Sequence, residues 1–344
     1  SASSYTMTVD VDPVNDLPTA GNNTVTTNED TTYTFAAGDF NFADIDGDTL
    51  ASVKVTSLES AGSLKLNGSD VTLNQVISKA DIDAGLLTFA PAANANGNGY
   101  DSFGFSVNDG TADSAATYTM TVDVTAQNDL PTAGNNTVTT NEDTAYTFVA
   151  NDFNFADIDG DTLSSVKVTS LESAGSLKLN GSDVTLNQVI SKADIDAGLL
   201  TFAPAANANG NGYDSFNFSV NDGTADSASS YTMTVDVTAQ NDLPTAGNNT
   251  VTTNEDTTYT FAAGDFNFAD IDGDTLSSVK VTSLESAGAL KLNGSDVTLN
   301  QVISKADIDA GLLTFAPAAN ANGNGYDSFG FSVNDGTADS AATY

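Results

Sequence analysis

The residues best suited to chemistry are the aspartates of Asp44-Ile45-Asp46-Gly47-Asp48, a segment that recurs at Asp157, Asp159 and Asp161 and again at Asp270, Asp272 and Asp274. Alternating carboxylates in a tight glycine-containing loop converge on one point, which is unfavourable unless a cation sits among them. The segment resembles the start of an EF-hand loop only superficially. Its glycine falls fourth rather than sixth, the twelfth position is Val55, and no amphipathic helices flank it. The chain has neither cysteine nor histidine, so zinc, copper and haem lack their usual ligands. Carboxylates, asparagine side chains and backbone carbonyls remain, and that donor set suits a hard cation such as calcium.

Charge narrows the function further. There are 46 acidic residues against nine lysines, a formal net charge of −37. Nucleic acid and anionic membrane surfaces are excluded as direct partners by repulsion. Such a charge also fits a solvating, salt-adapted surface, the competing explanation for the acidity. Histidine-based acid–base catalysis and catalytic triads are impossible. Paired carboxylates could serve a glycosidase, but the chain has no tryptophan to form a sugar platform. The expectation is a protein that is not an enzyme.

The elements that position these aspartates are repeated. Asn-Asp-Leu-Pro begins at Asn15, Asn128 and Asn241, a period of 113, and the first two full units differ at seven positions. That period suits one autonomous domain rather than a solenoid turn. The expected divisions are 1–14, a final strand of a preceding repeat plus linker; 15–127 and 128–240, two full repeats; and 241–344, a third lacking most of its last strand. Residues 1–11 are identical to 227–237, the close of a unit. The chain therefore reads as an excerpt of a longer array.

Within a unit, period-2 alternation dominates. Phe103, Phe105 and Val107 alternate with small or polar residues, as do Tyr118, Met120, Val122 and Val124. Further strands are expected at 23–27, 32–36, 52–58, 63–66, 70–73 and 86–90, with a hairpin turn at Asn67-Gly68. Ser78 and Asp81 have capping-box spacing and Gly85 closes a short helix, so Asp81 and Asp83 read as helix-start carboxylates. The loop 92–99 (AANANGNG) reads as a surface connection. Seven or eight short strands per unit predict an all-β fold of tandem immunoglobulin-like Greek-key sandwiches, arranged end to end as a rod.

Taken together, Asn15-Asp16-Leu17-Pro18, Glu29, the DIDGD loop followed by Leu50, and Asp109 in SVNDG resemble the bacterial cadherin-like repeats of large secreted adhesins, including those of the RTX type. The resemblance covers every unit. It implies calcium at the junctions between successive domains. At one junction the implied ligands are Glu29, Asn128, Asp129, Asp157, Asp159 and Asp222. At the next they are Glu142, Asn241, Asp242, Asp270, Asp272 and Asp335. Asn15, Asp16, Asp44, Asp46 and Asp109 form the following-domain half of an earlier junction, and Glu255 the preceding-domain half of a later one. Asp48, Asp161 and Asp274 complete the acidic loops. Asp101 and its copies are weaker candidates. The chain departs from animal cadherins in lacking the LDRE motif and an Asp two residues before the linker Asn, where Pro13, Ala126 and Ala239 stand. It also lacks the RTX nonapeptide. One or two ions per junction are implied, rather than three.

The resulting expectation is mechanical: calcium-rigidified extender domains of a bacterial cell-surface adhesin, spacing an adhesive tip for adhesion and biofilm formation. Neighbouring repeats are the expected partners. The alternative is a multivalent module in which each repeat binds a glycan or protein and gains avidity from copy number. Phe40 and Phe42 are the aromatics to check for it. Ice binding through Thr119 and Thr121 is a third, narrower idea. Finally, the sequence of 1–11 predicts head-to-tail strand donation from one molecule into the third repeat of another.

Overall fold

The computed structural model describes residues 3–344. By internal contacts the chain forms two compact units. The first comprises Ser1–Pro131 with Ala156–Thr162, and the second comprises Thr132–Phe155 with Leu163–Tyr344. The acidic loop that opens the second repeat thus belongs to the unit of the first.

In the first repeat the strands are β1 (Asn23–Asn28), β2 (Tyr33–Thr34), β3 (Ser52–Ser57), β4 (Ser63–Leu66), β5 (Ser69–Asp70), β6 (Val76–Ser78), β7 (Leu87–Ala90), β8 (Gly97–Asn108) and β9 (Tyr118–Thr125). One short helix, α1 (Lys79–Asp83), lies between β6 and β7. They build a five-stranded sheet, β1-β9-β8-β3-β6, and a four-stranded sheet, β2-β7-β4-β5. The core holds the alternating residues that the period-2 pattern selects, with Phe103, Phe105, Val107, Met120, Val122 and Val124 all buried. Phe35 meets Phe103 edge-on at 5.5 Å, and Phe40 meets Phe105 at 5.1 Å. The second repeat has the same two sheets.

Several local expectations are met. Asn67 and Gly68 have φ of 49° and 78°, as a two-residue hairpin turn of this type requires. Ser78 Oγ accepts from the Asp81 amide at 3.1 Å, and Asp83 pairs with Lys79, so both aspartates serve the helix. Other expectations are corrected. The strand expected over 32–36 ends at Thr34, because the Ala36 amide bonds the Asp39 carboxylate at 2.8 Å and the chain turns through Ala37–Phe40. Phe40 is thereby swung into the core and Phe42 packs partly against it, so neither is a free sugar platform. The strand expected over 70–73 stops at Asp70. A strand at Val76–Ser78 was not legible. The loop expected over 92–99 is shorter, because β8 already begins at Gly97, which pairs with Val124.

One feature of the topology bears on the site. An antiparallel sandwich is expected from the pattern, yet β1 runs parallel to β9, in register from Asn23↔Met120 to Asn28↔Thr125. The first and last strands of a unit are far apart in sequence, so no hairpin dictates their sense. The parallel arrangement carries the residue after β1 to the same end of the sheet as the residues after β9.

Candidate metal centre

Glu29 follows β1 directly, and residues 126–129 follow β9. The Glu29 amide donates to the Thr125 carbonyl at 3.0 Å, continuing the parallel ladder. Glu29 is 3% exposed, and its Oε1 accepts the Gln127 amide. Asn96 donates to Glu29 Oε2 at 2.9 Å, and Asn94 donates to Asp129 Oδ2 at 2.7 Å. The 92–99 loop is thus more than a surface connection, because Asn94 orients the linker carboxylate of Asp129 and Asn96 that of Glu29 at the end of β1. Sequence reading missed them; the signal available was three alternating asparagines, Asn94, Asn96 and Asn98, in a glycine-containing loop.

The acidic loop reaches the linker through the backbone. The Asp129 amide donates to Asp159 Oδ2 at 2.7 Å, as Asp16 does to Asp46 at 2.6 Å and Asp242 to Asp272 at 2.7 Å. Within each loop, Oδ1 of the first aspartate accepts the amides of the third and fifth residues, at 2.8 and 3.2 Å for Asp44. Gly47 sits at φ +85°, a conformation that side chains rarely adopt, and the bend gathers the three carboxylates.

Two kinds of acidic group result. Glu29, Asp129 and Asp159 place carboxylate oxygens within 4.8 Å of one another, as do Glu142, Asp242 and Asp272. The loops themselves form the groups Asp44–Asp46–Asp48, Asp157–Asp159–Asp161 and Asp270–Asp272–Asp274 on the same criterion. Asp109 and Asp335 stand apart. Their Oδ1 atoms accept two backbone amides each (Thr111 and Ala112; Thr337 and Ala338), and their Oδ2 atoms hold Asn15 and Asn241 at 3.2 and 3.1 Å. Asp222 accepts the equivalent amides of Thr224 and Ala225. Asp109 and Asp335 thus position the linker asparagines Asn15 and Asn241 and lie outside the convergent groups. Asp101 is likewise structural, its carboxylate accepting the Ser60, Ala61 and Ser102 amides. Glu255 is exposed, touched by Asn322 at 2.8 Å, and joins no group among the described residues.

The groups fit a hard cation on three counts. All nine lysines are in ion pairs, with aspartates outside these groups, so no protein cation neutralises them. Oδ2 of Asp44, Asp157, Asp270 and Asp242 is buried without a hydrogen-bond partner, and an orphaned carboxylate oxygen is costly unless something unseen binds it. Burial, then the Asp159 charge, raises the Asp129 carboxyl above its ordinary range, and burial with Asp272 does the same for Asp242. Glu142 is instead held low by the Gln240 amide and then by Asn209. A cation would relieve the repulsion that raises the two linker aspartates.

The bacterial Ig domain family model matches residues 15–125, 128–238 and 241–344. No curated protein matches the sequence. Among solved structures, the protocadherin GammaB4 extracellular domain is 12% identical, with a TM-score of 0.42 over 95% of this chain and 50% of that one. Drosophila N-cadherin domains are 9% identical, with a TM-score of 0.31 over 94% and 72%. An endo-fucoidan hydrolase from glycoside hydrolase family 107 is 16% identical, with a TM-score of 0.24 over 96% and 44%. The chain spans half or less of the length of the first structures it matches. No helix among the described residues is long and apolar enough to cross a membrane. With nearly its whole length matched in three consecutive copies, the chain belongs to the bacterial Ig domain family.

Proposed function

We propose that these repeats are non-enzymatic extender domains of a bacterial surface or secreted adhesin, stiffened at their junctions by calcium. The observation that carries this reading is the convergence of Glu29, Asp129 and Asp159, and of Glu142, Asp242 and Asp272. Each group draws one carboxylate from the end of a repeat's first strand, one from the linker and one from the next acidic loop. A divalent cation bound to all three ties these segments together; without it, their charges repel and the linker is released. Calcium suits this all-oxygen donor set and accepts additional carbonyl or water ligands. A tandem array so stiffened would serve to hold an adhesive tip away from a cell, in adhesion and biofilm formation.

Isothermal calorimetry tests the cation, and small-angle scattering with calcium and then with chelator tests the stiffening. The expected result is calcium binding below millimolar concentration, weakened by Glu142→Gln, with a maximum dimension that falls on chelation. Absence of binding by the unaltered chain would sink the calcium mechanism. Equal responses to calcium and to sodium at matched ionic strength would favour the salt-adapted surface.

A further inference from the structure

The two acidic groups are built from the same residues, yet one side chain is placed differently in each. Residues 28–30, 92–99, 126–129 and 157–161 are identical to 141–143, 205–212, 239–242 and 270–274. The backbone of the glycine-containing loop is anchored in the same way in both. Asp30 Oδ1 accepts the Asn94 amide at 3.0 Å, and Asp143 Oδ1 accepts the Asn207 amide at 3.0 Å. Asn94 and Asn207 share a φ of 56°, and Asn96 and Asn209 each donate to their glutamate at 2.9 Å. The linker aspartate is where they part. Asn94 Nδ2 donates to Asp129 Oδ2 at 2.7 Å, whereas Asp242 Oδ2 is buried with no hydrogen-bond partner. The half-buried side chains of Asn94 and Asn207 thus take two positions, clasped and open, on one fixed backbone.

We propose that Asn94 and Asn207 are cation ligands as well as clasps, each turning its amide oxygen towards the ion held by its own acidic group. An asparagine amide carries donor and acceptor at one tip. Its NH2 satisfies the linker carboxylate when no cation is near, but the same NH2 aimed at a cation is repelled. A half-turn of the soft terminal torsion exchanges nitrogen for oxygen at little cost. That oxygen belongs to the donor set calcium prefers, and three carboxylates leave calcium short of its roughly six to eight ligands. Asp30 and Asp143 keep the amide within reach, because they hold the loop backbone whichever way the side chain points. This inference rests on the calcium reading given above.

Europium luminescence lifetimes in H2O and in D2O count the waters left on a bound ion, and calorimetry with calcium gives affinity for the same 344-residue chain. Glycine and aspartate both tolerate the positive φ of these positions, so substitution there leaves the backbone unstrained. Asn94→Gly/Asn207→Gly removes the oxygen. Bound europium should then gain about one water, and calcium should bind about tenfold more weakly or worse, the least that loss of even an outer partner costs a metal site. Asn94→Asp/Asn207→Asp keeps an oxygen and loses the NH2. It should bind calcium at least as tightly as the unaltered chain, with no added water on europium. A glycine variant that keeps the affinity and water count of the unaltered chain would show the asparagines to be clasps alone and overturn the proposal. So would an aspartate variant that loses as much affinity as the glycine one. A chain that binds neither ion before any substitution removes the calcium reading itself, and this inference with it.

Discussion

The second and third repeats share nearly one sequence, yet Asn136–Asn141 is a strand while the identical Asn249–Asn254 is not. Pairing makes the difference. Within the sheet Asn136–Asn141 pairs only with Tyr231–Thr238, and among the described residues the third repeat has no such neighbouring strand. Its five-stranded sheet shrinks to three strands, and the counterpart of Gly210–Asn221 shortens to Gly330–Asn334. Glu142 is 3% exposed, whereas Glu255 lies open. An alternating NTVTTN segment is therefore only a candidate strand, because backbone groups off the sheet stay with water until a partner desolvates them.

The sharpest way to break this difference is to supply the missing strand. Extending the chain after Tyr344 with the sequence of Thr232–Gln240 should turn 249–254 into a strand and close the cavity. Full burial of each added Met or Val contributes roughly 1.5–3 kcal/mol, against the ordering entropy of the strand. Hydrogen exchange checks this: amides of 249–254 should gain protection to the level of 136–141. Unchanged exchange would mean that the third repeat differs for some other reason.

The converse change should make the second repeat resemble the third. Met233→Ala removes a fully buried side chain and should destabilise that repeat by about 2–5 kcal/mol. The same change at Met7, 89% exposed in the isolated chain, should shift monomer stability by no more than about 0.5 kcal/mol. Thermal unfolding of dilute samples compares the two.

Calcium should distinguish the repeats next. A site saturated a hundredfold above its dissociation constant adds about 2.7 kcal/mol to the state that binds it. Glu142→Gln should abolish most of this gain for the second repeat, while Glu255→Gln should leave the calcium-dependent melting shift of the monomer unchanged. If Glu255→Gln costs as much as Glu142→Gln, burial of the glutamate is not what defines the site.

The smallest effect should be common to all repeats. Tyr33 donates to Asp39 at 3.1 Å, Tyr146 to Asp152 at 3.2 Å and Tyr259 to Asp265 at 3.1 Å. Burial, then the Asp39 charge and hydrogen bond, pushes the Tyr33 hydroxyl up to about 12, and the other two shift in the same direction. A raised value in the folded state means the stabilisation is complete below about pH 10 and is lost as pH climbs through about 12. Tyr33→Phe should remove on the order of 1 kcal/mol of that alkaline dependence, after allowance for partial solvent exposure. Urea titrations at pH 9 and pH 11 measure it, and no change in pH slope would show the pair to be silent.

Much of this molecule was legible from residue order. Alternation located the core side chains of β8 and β9, Asn67-Gly68 located a hairpin, and Ser78-x-x-Asp81 located the helix, because each is a local rule of backbone geometry. The acidic loops were legible because three aspartates within five residues have little choice but to meet. The strand expected over 32–36 is cut short because one carboxylate, Asp39, captures the Ala36 amide and the chain bends into the core, a choice that alternation does not encode.

The sequence alone determined the repeat length, the all-β character, the hard-cation donor set and the fit between 1–11 and the close of a unit. Only the tertiary structure decided that β1 runs parallel to β9, which brings Glu29 beside Asp129, and that Asn94 and Asn96 hold both. It also decided that Asp109 orients Asn15 rather than joining the acidic group. The reason is range. Alternation and turn chemistry act over a few residues, whereas these choices join groups about 35 to about 100 positions apart, where only the packing of two finished sheets selects a partner.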